Sequence, residues 1–395
     1  MVNSDLRVEA ISNALQDKHL DVVVSGSIGA VESTRFIRSL RRLGARVTPW
    51  LTEGAQQFTT ETALSWAAAE PTVRKFSGEA SHIALGDACI VAPASASIIA
   101  KIASGITDSP SSALVASYLG QNKKVLFLPN MHESLRNSPI IDKNIEQLRE
   151  LCVEIPAREE EGKLKFPDPA SLADIVAHEL NKDSVQHRCL VSMGTTRGYI
   201  DSVRYISNYS SGSLGSKISE ELYRQGIECN VVAGPCEIKP KSYSKLIPIK
   251  TNDELEKASL EEIKQQPCSV VFASSVLDYV PNATFDGKLK SNEDLKVEFE
   301  KCDKIIAKLK VESGRKVGFK LEADLDIPKA EAIAADYIKK YQLSMIVINS
   351  LKDVDDRKHT AFVFTEENGK LQHIKLQSKQ AIATEIVNHI KKDLS

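Results

Sequence analysis

Short apolar runs that alternate with helix-period stretches set the first constraint on this chain. Residues 21–24, 46–51, 88–92 and 124–128 read as strands, and residues 31–43, 61–69, 95–104 and 142–148 as helices. Phe36, Ile37 and Leu40 fall on one helical face. The strand runs are mostly apolar throughout rather than alternating, so they expect cover on both faces. Strand–helix–strand order then demands right-handed crossovers and a mostly parallel sheet.

At 395 residues the chain has room for two such domains. Residues 1–177 form the first α/β domain, closed by a short helix at 170–177. The stretch HELNKDSVQH, residues 178–187, reads as a linker, because Asn181, Lys182, Asp183 and Ser184 interrupt the periodicity. Residues 188–395 form the second domain. Strands are expected near 189–191, 230–233, 269–273 and 345–348, and helices at 213–225 and 379–390, with another ending near Lys340. Thr251 and Glu254 have the spacing of a capping box. Residues 362–365 and 373–376, separated by the turn 366–369, read as a hairpin.

Several classes of partner are excluded as expectations. Lysine and arginine total 51 against 53 acidic residues, a net charge of −2, so nothing in the balance invites nucleic acid. No apolar run approaches the roughly 18 residues of a membrane span. The N-terminal stretch has no apolar core, so a signal peptide is not expected. The 7 cysteines are scattered and sit mostly in apolar runs, which fits reduced, packed thiols of a cytoplasmic protein. No clustered Cys/His set suggests zinc.

Small polar loops follow the strands. Ser25-Gly26-Ser27-Ile28-Gly29-Ala30 joins a strand to a helix, where backbone N–H groups can approach a phosphate. A tight βα turn accounts for the same residues. Thr52 and Ser95 follow the next two strands and face the same edge, where open sheets bind ligands. His82 and His132 have no identified partner in the sequence, and a lone histidine is more often structural.

In the second domain, residues 194–215 read GTTRGYIDSVRYISNYSSGSLG. Glycines and hydroxyls between a strand and an amphipathic helix make an anion-binding nest. This density suggests a triphosphate or acyl-phosphate site, with plain surface placement of Arg204 and Asn208 the alternative. Asp278 follows a buried strand, and Lys288 and Lys290 come on a polar, flexible segment. Lysines there supply mobile charge for phosphates, or merely a solvated face.

Two resemblances follow from these motifs. SGSIGA, Thr52 with Phe58, SHIAL, PASAS, KIASGITD and LPNMHESLRNSP resemble, in that order, the flavin-dependent phosphopantothenoylcysteine decarboxylases. The resemblance implies a flavodoxin-like parallel-sheet flavoprotein domain that binds FMN through Gly26, Ser27, Ile28, Thr52, Ser95 and Asp108, with His82 as the active histidine. The family's asparagines in PASANT and PxMN are Ser97 and His132 here, and the flap AREEEGK carries no cysteine. Three glutamates there would repel an anionic substrate. Decarboxylation is therefore expected to be absent or slow.

Residues 188–390 resemble the phosphopantothenate–cysteine ligases, through the 194–215 run, VVAGP, LDY with KLK, GFKLE and the strand ending at Asn349. Departures are Gly198, Ser213-Leu214 and Ser274-Ser275-Val276-Leu277. The resemblance implies a Rossmann-like α/β ligase domain. It joins 4'-phosphopantothenate to L-cysteine using CTP and Mg²⁺ through an acyl-cytidylate. Lys288 would form that intermediate and Asn208 would turn it over. Gly194, Thr196, Arg197, Ser211, Gly212, Asp278, Lys288, Lys290 and Asn349 would hold the nucleotide. No metal ligand is assigned. The families imply a homo-oligomer of flavin-domain trimers and ligase-domain dimers. The other readings are a fully bifunctional decarboxylase and ligase, and a non-catalytic flavin-binding regulatory or scaffold subunit.

Overall fold

The computed structural model describes residues 4–78, 80, 82–160, 163–185, 187–266, 268–290, 295–354, 359–367 and 369–392. The chain divides into two compact units, Met1–Asn181 and Lys182–Ser395.

The first unit runs β1 (His19–Val24), α1 (Ser33–Arg42), β2 (Arg46–Leu51), α2 (Glu61–Ala68), β3 (Ala88–Ala94), α3 (Ala96–Ala103), α4 (Pro110–Gly120), β4 (Lys124–Pro129), α5 (Glu133–Arg136), α6 (Pro139–Leu151), β5 (Val153–Glu154), β6 (Arg158–Glu160), β7 (Lys163–Lys165) and α7 (Pro169–Asn181). Its sheet is parallel in the order β2-β1-β3-β4-β5. That is the flavodoxin-like order, with a topological switch between β1 and β3. Each sheet face carries its own core, one around Leu20, Phe36 and Leu126, the other around Val91, Tyr118 and Phe127.

Helix α4 has no counterpart in the sequence reading. Its serines, alanines and glycine give no clear periodicity. The available signal is the start: Pro110 at the first turn and a capping box between Ser109 and Ser112. Helix α7 likewise runs past the expected end at Ala177 and takes in the first residues of the supposed linker. Asn181 Nδ2 donates to Ala14 O (2.9 Å) and Lys124 Nζ to Glu179 O (2.5 Å), so tertiary bonds hold that last polar turn.

The second unit runs β8 (Arg188–Met193), β9 (Arg197–Tyr199), β10 (Tyr205–Ser207), α8 (Ser213–Arg224), β11 (Glu228–Ala233), β12 (Lys245–Pro248), α9 (Asn252–Gln265), β13 (Ser269–Phe272), β14 (Tyr279–Pro281), β15 (Phe299–Lys301), α10 (Ile305–Lys308), β16 (Lys316–Glu322), α11 (Ile327–Tyr341), β17 (Met345–Val354), β18 (His359–Glu367), β19 (Lys370–Leu376) and α12 (Lys379–Lys391). The main sheet has the order β12-β11-β8-β13-β16-β17-β18-β19. It is parallel through β17, and β18 and β19 close it as an antiparallel hairpin. The first six positions follow the Rossmann order, with the switch between β8 and β13. Residue 368, in the hairpin turn, lies outside the described residues. Thr251 Oγ1 accepts from Glu254 N–H (3.3 Å), but Glu254 reaches back to Lys250 N–H (2.6 Å), one residue before the cap. Among the described residues no helix is long and apolar enough to cross a membrane.

A buried carboxylate ties the first sheet together. Asp21 on β1 is only 3% exposed. It accepts from Trp50 Nε1 on β2 (2.8 Å) and from the Tyr118 hydroxyl on α4 (2.5 Å). Burial beside that carboxylate pushes the phenol far up, so it stays a donor. Tyr118→Phe should lower the stability of the first unit by about 1.5–3 kcal/mol, the loss of a hydrogen bond to a charged acceptor. Urea unfolding of the whole chain, followed by Trp fluorescence, measures this. An unchanged midpoint would show the bond to be dispensable.

Candidate functional site

The carboxyl ends of β1–β4 meet at the first switch point through side chain–backbone bonds. Ser25 Oγ donates to Pro93 O (2.7 Å) and accepts from Ser95 N–H (2.8 Å), sealing β1 against β3. Asn130, just past β4 and 6% exposed, accepts from Ser27 Oγ (2.8 Å) and Gly29 N–H (3.2 Å). Gly26 lies against Gly54, where a Cβ would stand 2.8 Å from a backbone carbon. Thr52 turns its hydroxyl onto Val24 O (3.2 Å), and Ser95 caps α3 by accepting from Ile98 N–H (3.5 Å). Ile28 is left exposed beside this cradle.

The predicted residues Gly26, Ser27, Ile28, Thr52 and Ser95 are therefore brought together. Asp108 is not tied to them: it pairs with Lys101 Nζ (2.9 Å) beyond α3. His82 lies before β3, edge-on to Phe76 at 5.6 Å, and its buried Nδ1 has no partner among the described residues. Ser97 is exposed on α3, and His132 caps α5, its Nδ1 accepting from Ser134 N–H (3.2 Å). Glu161 and Gly162 of the charged flap lie outside the described residues. Sequence reading missed the roles of Ser25 and Asn130. The signal for both was available: small polar residues placed directly after apolar strands.

The second switch point is built the same way. Gly194 has φ +77°, and a Cβ on it would stand 2.5 Å from Gly234 O. Thr195 N–H and Ser275 N–H bond across the crevice to Pro235 O (3.1 Å) and Gly194 O (2.8 Å). Thr196 is fully buried; its hydroxyl accepts from Leu277 N–H (3.1 Å) and its carbonyl from Ser207 Oγ (2.9 Å). Arg197 stacks on Tyr205 at 4.2 Å.

Within the stretch read as an anion-binding nest, residues 197–199 and 205–207 pair as a small antiparallel hairpin, β9–β10. Asn208 follows it and donates Nδ2 to Val276 O (3.0 Å). Gly212, φ +78°, opens α8, with Ser211 Oγ accepting from Ser213 N–H (3.4 Å). Lys288 and Lys290 are exposed, but their segment is not free as expected. Leu289 N–H is held by Asp201 Oδ2 (3.1 Å), because the buried carboxylate takes backbone donors from both sides. Asp278 pairs with Lys304 Nζ (2.5 Å). Asn349 sits midway along β17, where the pairing with β18 shifts register, and its Nδ2 donates to Thr360 O (3.0 Å) and His359 Nε2 (3.1 Å).

No three His, Cys, Asp or Glu side chains converge on a metal position among the described residues. All seven cysteines are free, and burial pushes Cys152 and Cys229 up to about 12, so these thiols are packing groups.

Two switch-point crevices, each floored by small residues, define a tandem of a flavodoxin-like and a Rossmann-like ligand-binding unit. Comparison with known proteins gives the family. Residues 9–181 match the family model described as Flavoprotein, and residues 185–394 match the DNA/pantothenate metabolism flavoprotein C-terminal domain. The coenzyme A biosynthesis bifunctional protein CoaBC of Thermococcus kodakarensis is 31% identical over 395 residues, covering 97% of each chain. That of Methanocaldococcus jannaschii is 30% identical, over 96% of this chain and 95% of the relative. A cysteine/cysteine sulfinic acid decarboxylase from an unknown prokaryotic organism is 29% identical, over 78% of this chain and 91% of its own length. The chain belongs to the family of the coenzyme A biosynthesis bifunctional proteins.

His359 gives this region a pH dependence. Burial pushes it down to about 4, with Lys379 adding to the shift. Neutral Nε2 is also the acceptor for Asn349. Between about 4 and 6.5 the unfolded chain binds a proton that the folded chain refuses. The second unit should therefore lose stability as pH falls through that window and be fully stable above it. His187, also lowered by burial, acts in the same direction. Denaturant midpoints of wild type and His359→Gln at pH 7 and pH 4.5 test the share of His359, which predicts a smaller drop in the variant.

Proposed function

We propose that the second unit is a phosphopantothenate–cysteine ligase that uses CTP with Mg²⁺. The observation that carries this reading is the shared hairpin. Asn208 follows β10, and the Lys288 segment is bonded to the β9–β10 turn, so one hairpin, entered directly from Gly194 and Thr196, ties both into the same loop cluster. The substrate carboxylate attacks the α-phosphorus of CTP, a P–O bond to the β-phosphate breaks, and pyrophosphate leaves. The amine of cysteine then attacks the acyl carbon, loses a proton and expels CMP. Lys288 supplies charge at the phosphorane in the first step, and the Asn208 amide orients the acyl group in the second. Mg²⁺ arrives with the triphosphate oxygens. Arg197, Ser211, Gly212, Asp278, Lys290 and Asn349 complete the nucleotide site in this reading. Asp278 and Asn349 would have to release Lys304 and the strand end to do so.

In the first unit we propose FMN as the ligand. The turn at the β1/β3 switch suits a phosphate, since its backbone N–H groups lie at a strand-to-helix turn whose close packing against Gly54 and Asn130 leaves no room for a Cβ on Gly26 or Gly29. Gly26, Ser27, Ile28, Thr52 and Ser95 would hold it, with Asp108 and His82 beyond the turn. Bound FMN supplies a two-electron acceptor. Asn130 keeps the turn shaped, while Ser97 and His132 lack the amides of the decarboxylase resemblance, so decarboxylation is slow or lost. A fully bifunctional enzyme is the second reading, favoured by the identity to the bifunctional relatives and to the cysteine decarboxylase.

Three experiments test these proposals. Purified protein should retain flavin absorbance after dialysis against FMN-free buffer, and Asn130→Ala should weaken retention roughly tenfold or more by leaving two donors unpaired. CO₂ release from phosphopantothenoylcysteine or cysteine should be near background, and a fast rate with either would establish the second reading. For the ligase, Lys288→Ala should cut pyrophosphate release about 10²-fold or more. Asn208→Ala should release pyrophosphate yet accumulate acyl-cytidylate. CTP and ATP are compared in both assays. Wild type that releases no pyrophosphate with either nucleotide would overturn the ligase.

A further inference from the structure

The Lys288 segment is exposed, yet it is laced along the turn of the β9–β10 hairpin. Thr284 Oγ1 donates to Tyr199 O (3.1 Å) and Phe285 N–H to Ile200 O (2.9 Å). Ser202 N–H donates to Gly287 O (3.0 Å), Leu289 N–H to Asp201 Oδ2 (3.1 Å), and Arg204 Nη1 to Leu289 O (3.3 Å). Both neighbours of Lys288 are thereby fixed.

Asp201 is the centre of this lacing. Its side chain is fully buried. Oδ1 accepts from Val203 N–H (2.8 Å) and Arg204 N–H (2.6 Å), which closes the turn on itself. Oδ2 accepts from Leu289 N–H and from Arg204 Nη1 (2.9 Å), which ties in the lysine segment. One carboxylate thus divides its two oxygens between hairpin and loop, and only an anion offers acceptors on both. The backbone N–H of Arg204, with those of Val203 and Leu289, holds its carboxyl below the usual range, so it is ionised throughout the neutral range.

We propose that Asp201 is a positioning residue for the ligase reaction: its carboxylate sets where Lys288 stands relative to Asn208. This rests on the ligase reading for what Lys288 does, but not for how it is held. The hairpin carries Asn208 just past its outgoing strand and, through Asp201, holds the backbone next to Lys288. An ammonium at a developing phosphorane tolerates little displacement: a misplacement of about 1 Å can cost roughly 10²-fold in rate.

Asp201→Asn separates the two jobs. Its Oδ1 still closes the turn, but the amide –NH₂ in place of Oδ2 points donors at Leu289 N–H and the Arg204 guanidinium. In the full-length protein, pyrophosphate release should fall at least about tenfold in kcat, while KM for CTP stays within about twofold. Trypsin cleavage after Lys288 and Lys290, mapped by mass spectrometry, should accelerate about tenfold, since it tracks the open population of the loop. Far-UV circular dichroism should be unchanged. Leu289→Pro removes the same hook from the loop side and leaves Asp201 intact. With cleavage read after Lys290, it should show the same pair of changes, and it decides the question if Asp201→Asn does not fold. Wild-type cleavage in the folded variants overturns the proposal. So does accelerated cleavage with undiminished pyrophosphate release. If wild type itself releases no pyrophosphate, the ligase reading falls separately, and cleavage alone decides whether Asp201 holds the loop.

Discussion

Backbone packed directly on backbone is the constraint from which both crevices follow. A Cβ on Gly234 would stand 1.8 Å from Thr195 O, and one on Gly194 would meet Gly234 O. Neither position admits any other residue without moving the strand ends apart. In the first unit Gly26 approaches Gly54 in the same manner, with a Cβ 2.8 Å from its backbone carbon. Parallel strands whose crossovers leave in opposite directions open a gap at the switch point. Glycine contacts keep that gap narrow enough for backbone donors to line it. The ligand edge therefore exists because of the sheet topology, and its width is set by residues with no side chain.

Polar side chains then decide what the gap can do. In the second unit Thr196, Asn208 and Asp201 all spend hydrogen bonds on neighbouring backbone: Leu277 N–H, Val276 O and Leu289 N–H. Thr196 and Asn208 both fix the segment after β13, and Asp201 fixes the lysine segment beyond it. Fixation of this kind fits phosphoryl-transfer chemistry, which relies on positioning and charge more than on covalent participation by the protein.

Much of the fold was legible from the sequence because parallel strands buried on both faces are short, apolar and β-branched. Strands β1 to β4, β8, β11, β13 and β17 carry that signature. Helix α4 did not, since serine and alanine give no stripe. Hairpin β9–β10 did not either, since its strands are three residues each and its residues face loops rather than a core. Lys288 and Asn208 stood out through resemblance. Asp201 was hidden inside the same motif, because nothing in a linear sequence shows that one carboxylate will be buried between a turn and a loop 88 residues away. Asn130 carried a signal, a polar residue directly after an apolar strand, but its partners lie about a hundred positions earlier and only the fold brings them to it.

The two units differ in where such anchoring falls. Asn130 in the first unit is buried and braces the turn, whereas Ser97 and His132 are at the surface, the imidazole of the latter bonded to Ser134 two residues on. Asn130 also belongs to the folding of the unit, because leaving Gly29 N–H and Ser27 without an acceptor would cost stability whether or not a ligand binds. Ser97 is exposed on α3, and His132 caps only the four-residue helix α5. A phosphate cradle can therefore persist on structural grounds alone, while side chains that serve only chemistry are free to change. In the second unit that freedom is smaller, since Asn208 and the lysine segment are bonded into the hairpin that joins the strand ends.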